Sequence, residues 1–228
     1  MQTISLINLT FAFLPVAIVV GVLHWWSLDS ANAIYALIRM LVQLLLIGYV
    51  LTYIFETDNA FVVIGILTFM LLIASWISLR SLQKRKKLQF LKILASITLG
   101  GVFTLVLVTQ AVLDLNPWFA PRYVIPLAGM IFANAMNTVS LAAERFDSEM
   151  EQHGYIESRR IALRACLIPL VNSLFAVGLV SLPGMMTGQI LSGVSPLIAA
   201  RYQIVVMCMI FGSAGIAAVC YLALARKK

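Results

Sequence analysis

A chain of 228 residues that is 62% hydrophobic and only 11% charged, with a mean hydropathy of +0.99, is too apolar to be a water-soluble domain. In a soluble protein a net charge of +7 would point to nucleic acid; in this composition it bears on orientation in a bilayer, and no nucleic-acid partner is expected. Cys166, Cys208 and Cys220 are odd in number and lie in apolar stretches, so buried thiols are expected rather than a disulfide framework or a metal cluster.

The first Lys or Arg is Arg39. The N-terminal stretch therefore lacks the basic flank of a secretory signal, and residues 6–26 are expected to stay as a membrane helix. Further apolar runs follow at 34–55, 60–79, 90–113, 123–143, 166–182 and 198–224, each near the length that crosses a bilayer. The pattern predicts an all-α polytopic membrane protein of about seven transmembrane helices, a single transmembrane domain over residues 1–228. On the second run Arg39 and Gln43 lie one helical turn apart, and an intramembrane polar residue tends to face a bundle interior or a pathway.

The connecting stretches differ in charge. "RSLQKRKKLQFLK" is strongly basic, "ETDNA" acidic, "LDLNPWFAPR" nearly neutral, and the chain ends in "ARKK". With the N-terminus outside and the C-terminus cytoplasmic, 14 of the 16 Lys and Arg fall on the cytoplasmic side, against Arg122 and Arg201 outside. Trp25, Trp26, Trp118 and Tyr123 fall near predicted helix ends, where aromatic rings favour the interface.

Asn134 and Asn137, with Thr138 and Ser140, form a polar stripe on the fifth run, and Asn172 and Ser173 add to it on the sixth. Hydrogen bonds between helices or the lining of a translocation path would both use such a stripe. Residues 144–164, "ERFDSEMEQHGYIESRRIALR", make the one long, highly charged loop, which reads as two short helices hinged at Gly154. Phe146 and Met150 are four apart and would share a face. That face suits a cytoplasmic partner; a solvated hairpin is the alternative.

Residues 183–204, "PGMMTGQILSGVSPLIAARYQI", interrupt the apolar pattern. Pro183 can start a helix but cannot continue one, and Ser195-Pro196 breaks the chain again. Between the breaks Gly184, Gly188 and Ser192 are spaced four apart, a small-residue ridge against which another helix can pack closely. Non-helical backbone at membrane depth persists where protein buries it or water reaches it, so a broken element beside a cavity is expected. Met185, Met186 and Gln189 lie within it; methionine sulfur is a soft ligand, and equally a filler of irregular cores.

No G-x-x-x-x-G-K-[ST] stretch cradles phosphates, and no H-E-x-x-H or Cys/His cluster has metal spacing. Neither catalysis by this chain nor a cofactor is expected, and no metal ligand set can be named. Asp29, Glu56, Asp58 and Asp114 all fall in or beside loops, which argues against a bare dehydrated cation held midway across.

Three stretches, "ALIRMLVQLLLIGYVL" (36–51), "PRYVIPLAGMIFANAMNTVSLAAERF" (121–146) and "LIPLVNSLFAVGLVSLPGMMTGQILSGVSPLIAARYQI" (167–204), closely resemble the FetB-like family of ABC transporter permeases. That family includes the membrane subunit of a bacterial iron exporter linked to oxidative-stress resistance and plant relatives involved in aluminium tolerance. The resemblance implies a plasma-membrane permease, in the inner membrane of a Gram-negative source, that works with a separate ABC ATPase subunit and exports iron or another metal. It also implies that 144–164 is a coupling loop, with Phe146, Glu149, Met150, Glu151, Gly154 and Tyr155 at the ATPase, and that two permease subunits pair as a homodimer in the lipid bilayer. The candidate path is Gln43, Asn134, Asn137, Asn172, Met185, Met186 and Gln189; the candidate gate is Gly184, Gly188, Ser192 and Pro196. A self-standing channel or secondary transporter, a non-transporting sensor or scaffold, and an ABC exporter of a non-metal solute are the competing expectations.

Overall fold

The structure, a computed structural model, describes residues 5–80, 82 and 87–226. Residues 83–86, Lys227 and Lys228, which carry part of the orientation argument, lie outside the described residues. The chain is 82% helical with no strand among the described residues, and it divides into two compact units, Met1–Thr57 and Asp58–Lys228.

The first unit comprises α1 (Leu6–Phe11), α2 (Phe13–Trp25) and α3 (Ser30–Phe55). The starts of α1 and α3 are fixed by side chains that accept otherwise orphaned N–H groups: Ser5 Oγ from Asn8 at 3.2 Å, and Asp29 Oδ1 from Asn32 at 3.0 Å. Pro15, Val16, Val19 and Leu23 of α2 line an apolar cleft with Ala33, Leu37 and Met40 of α3. No residue of either helix is buried, and Leu45, Tyr49 and Tyr53 stand at least 71% exposed. Such a surface suits lipid, which solvates apolar side chains as well as a protein core does.

The second unit comprises α4 (Ala60–Leu79), α5 (Lys87–Val106), α6 (Pro121–Glu149), α7 (Tyr155–Ala176), α8 (Gly184–Leu191) and α9 (Pro196–Leu224). A π-helical turn, Leu107–Val112, extends α5. At the centre α5, α6 and α9 pack on one another, with α4 against α5 and α6, and α7 against α6 and α9. Small side chains permit this. A Cβ added at Gly100 would stand 2.5 Å from the Ser213 carbonyl oxygen and 2.7 Å from the Ala217 nitrogen, so the α5 and α9 backbones nearly touch. Ser213, Ala214, Ala217 and Ala218 are fully buried along the same face of α9. Between α6 and α4, the Ser140 hydroxyl donates to Ser78 Oγ at 3.0 Å. Close approach and polar bonds of this kind hold helices together where lipid removes the hydrophobic drive.

Six helices among the described residues are long and apolar enough to cross a membrane: Asn8–Trp25, Ser30–Phe55, Ala60–Leu79, Lys87–Val112, Pro121–Glu149 and Pro196–Leu224. The expected span over 166–182 takes another form. α7 starts inside the charged stretch and stops at Ala176, because Gly178 adopts φ +84°, and the N–H groups of Val180 and Ser181 turn back to the Ala176 carbonyl at 2.8 and 3.1 Å. Its apolar part, residues 165–176, covers roughly 18 Å, short of a hydrocarbon core about 30 Å thick. The charged region also differs from two short hinged helices: α6 continues to Glu149, supported by an Arg145–Glu149 ion pair of 2.7 Å, and only residues 150–154 turn before α7.

Candidate functional site

Two cavities lie along the seam between α6 and α9. The larger, about 560 Å³, is walled by Arg122, Tyr123, Pro126, Leu127 and Met130 of α6, by Ile198, Tyr202, Val205 and Val206 of α9, by Met185 and Gln189 of α8, and by Leu113 and Val194. The smaller, about 250 Å³, is lined by Asn134 of α6, by Leu170, Ser173 and Leu174 of α7, by Val177, Ser181 and Pro183 of the following turn, and by Met207, Ile210 and Phe211 of α9. Arg122, Pro126, Met130 and Asn134 recur every four residues on one face of α6, so a single stripe serves both cavities over roughly 18 Å of helix.

The breaks foreseen around 183–196 position α8 at the larger cavity. Pro183 is the N-cap of α8, and Pro196 opens α9 at its first turn, where a missing N–H costs nothing. The end of α8 is set by Gly193, with φ +90°: its N–H reaches the Ile190 carbonyl and the Val194 N–H reaches the Gln189 carbonyl, both at 3.0 Å. This double bond pattern satisfies the last carbonyls and requires a left-handed residue. Its sequence signal is a Gly followed closely by Pro, in "SGVSP".

At the opposite end of α6, the turn before α7 is fastened to the end of α9. Tyr155 donates from its hydroxyl to the Leu222 carbonyl at 3.0 Å. Its ring meets Phe146 edge to face at 5.9 Å, with the guanidinium groups of Arg159 and Arg226 at 5.4 and 5.8 Å from its centroid. Glu149 accepts from Arg145 at 2.7 Å and lies 3.3 Å from His153 Nε2, tying the last turn of α6 to the residues beyond it.

Of the predicted path residues, Met185 and Gln189 share the larger cavity and Asn134 lines the smaller, its amide donating to the Met130 carbonyl at 2.8 Å. Met186 is half-buried and lines neither, while Gln43, Asn137 and Asn172 are exposed. The ridge of Gly184, Gly188 and Ser192 has no helix against it here: a Cβ at either glycine would meet nothing within 4 Å, and Ser192 is exposed with its hydroxyl donating to the Gly188 carbonyl at 2.8 Å. The close approach belongs instead to Gly100 and Gly101 of α5.

Phe146 is 4% exposed and faces inward, so it offers no free surface; Met150 is half-buried, and Glu151 and Gly154 are exposed. Gly154 caps α7 with φ −72°, ψ 165°, an extended conformation open to any residue, so the turn makes no use of glycine's freedom. Ile156, 71% exposed beside that turn, escaped notice because a single apolar residue among charges carries no periodic signal. Arg122 was legible only as an outer residue and Tyr123 only as an interfacial one, and Tyr202 carried no signal; the structure places all three at the cavity with α8.

Among the described residues no group of three or more His, Cys, Asp or Glu could hold a metal ion, and neither cavity is lined by a carboxylate. The seam offers amide, hydroxyl, guanidinium and thioether groups on apolar walls.

The model of the uncharacterised protein family UPF0014 matches residues 6–159 and 152–228. The chain belongs to the UPF0014 family. It is 37% identical over 212 residues to the UPF0014 membrane protein slr1647 of Synechocystis sp., covering 84% of this chain and 80% of that one. It is 34% identical over 241 residues to the probable iron export permease protein FetB of Escherichia coli, covering 94% and 89%. It is 34% identical over 209 residues to Protein ALUMINUM SENSITIVE 3 of Arabidopsis thaliana, covering 83% and 74%. No solved structure matches it. The chain is thus a multi-pass membrane protein whose relatives include a named permease, in agreement with the resemblance drawn from its three signature stretches.

Proposed function

We propose that this chain is the membrane-spanning permease subunit of an ATP-driven exporter of iron or another metal, acting as a homodimer with separate ABC ATPase subunits. One observation carries the reading: α6 and α9 both run from the cavity end of the second unit to the turn at 150–154. α6 bears Arg122 at one end and Phe146 at the other; α9 starts at Pro196 beside the cavity and accepts Tyr155's hydrogen bond at Leu222. A push at the turn is thereby transmitted along two stiff helices to the residues that line the cavity. With the N-terminus outside, the turn faces the cytoplasm and the larger cavity lies toward the outer surface.

Glu151 and Gly154 are exposed on the turn and Ile156 just beyond it, and they are the contact offered to the ATPase, while Phe146 and Tyr155 anchor it from within. The exposed amides of Asn137 and Asn172 are costly against hydrocarbon, which supports a second permease subunit or a watered path beside them. The name of the Escherichia coli relative supports iron as cargo.

Purification from cross-linked membranes tests the assembly. The chain is expected to carry a small ATPase with a phosphate-binding loop in equal amount, cross-linked through position 151. Recovery of the chain without any ATPase would refute it.

A further inference from the structure

The larger cavity has a chemical bias that the permease reading does not explain. The polar side chains among its lining residues are those of Arg122, Gln189, Tyr123 and Tyr202; the other lining residues are apolar. Arg122 has no ion-pair partner among the described residues. The Gln189 carboxamide makes no hydrogen bond there either, and its Oε1 is shielded from solvent without a partner. Burying an amide oxygen in this way is unfavourable unless a ligand or a reorientation of the amide completes it. The site thus holds one fixed positive charge with no carboxylate to balance it, two phenols that can donate or accept, and an amide that, turned about its last side-chain bond, puts its NH2 where the unpaired oxygen stands. A bare metal cation would be repelled by Arg122 and would find a thioether, two neutral phenols and an amide, with no carboxylate or imidazole among the lining residues to hold it.

We propose that this cavity binds an amphipathic organic anion, its anionic head on the Arg122 guanidinium and the NH2 of a turned Gln189 amide and its apolar body between Leu127, Met130 and Val206. A volume of about 560 Å³ accommodates a ligand of small-molecule size. The inference rests on the permease reading for its link to transport. If metal is the cargo, it occupies this cavity as an anionic complex with an organic ligand, not as the free ion. The same head chemistry occurs in soluble aromatic acids and in acidic phospholipids, and binding separates the two sources.

The test uses the full-length chain in nanodiscs, without ATPase, so that its failure is distinct from a failure of ATP-driven transport. Equilibrium dialysis with radiolabelled salicylate in phosphatidylcholine discs covers the soluble source, with neutral salicylamide as control. Retention of phosphatidylglycerol from mixed discs, read by native mass spectrometry, covers the lipid source. The expected result is saturable binding of salicylate, or selective retention of phosphatidylglycerol, that falls about tenfold or more in Arg122→Gln and is partly kept in Arg122→Lys. Each variant is first checked for a wild-type elution profile, and Gln189→Leu serves as a second probe at a different wall, where weaker binding is expected. Binding of salicylamide as tight as salicylate, equal binding by Arg122→Gln, or no Arg122-dependent binding of either anion would overturn the proposal.

Discussion

At the residue scale, glycines in this chain do unlike work. Gly100 sits where α5 and α9 approach most closely, and the atoms a Cβ would strike belong to backbone, which cannot rotate away. Gly100→Ala is therefore expected to destabilise the protein by about 1–3 kcal/mol despite alanine's better helix propensity. Gly188→Ala faces open space and should leave the thermal midpoint unchanged or slightly raised. Intrinsic-fluorescence melting of the two variants in detergent checks the pair, and a reversed ranking would displace the α5–α9 contact as the core of the second unit. From the sequence, Gly184 and Gly188 attracted notice because their spacing repeats. Gly100 and Gly101 did not, since adjacent glycines in an apolar run say nothing about which neighbour comes close.

At the scale of elements, the link between α6, α7 and α9 depends on Tyr155. Tyr155→Phe keeps the ring between Phe146 and the two arginines and removes only the bond to the Leu222 carbonyl. A loss of about 1 kcal/mol in stability is expected. Under the proposed function ATPase binding should persist while ATP-driven flux falls, because the turn is then less firmly joined to α9. Co-purification together with flux measurement distinguishes this from plain unfolding, and unchanged flux would remove the Tyr155 bond from the coupling route. The helix ends around Gly154 were legible in outline: an acidic stretch, a glycine and a basic stretch mark a turn. The extension of α6 through Glu149 was not, because charge alone looks like a loop, while Arg145 and Glu149 at i, i+4 in fact lengthen the helix. Likewise, the apolar run over 166–182 reads as one continuous helix until the turn at Gly178 is seen to interrupt it.

At the scale of the whole molecule, composition alone made the all-α, multi-pass class legible, since runs of bilayer length admit little else. The cavities were not legible: they depend on residues from α6, α7, α8 and α9 that are distant in sequence, and of the candidate path residues only Met185, Gln189 and Asn134 line them. Orientation rests on the distribution of basic residues and is open to direct measurement. On a cysteine-free background, Glu151→Cys should react with a membrane-impermeant maleimide only when the cytoplasmic face is opened, and Trp118→Cys should react in intact cells. Reaction of Glu151→Cys from outside would invert the topology and leave the turn unable to meet an ATPase.

The central claim, that the chain passes its cargo only when a separate ATPase drives it, is tested most directly by flux in proteoliposomes. The permease would be reconstituted with its co-purified ATPase, with iron supplied both free and as an organic complex. ATP-dependent movement of iron from the cytoplasmic-side compartment is expected, absent without ATP, without the ATPase, or with an ATPase lacking its phosphate-loop lysine. Iron flux of equal rate in the permease alone would contradict the account and make the chain a self-standing channel or secondary transporter.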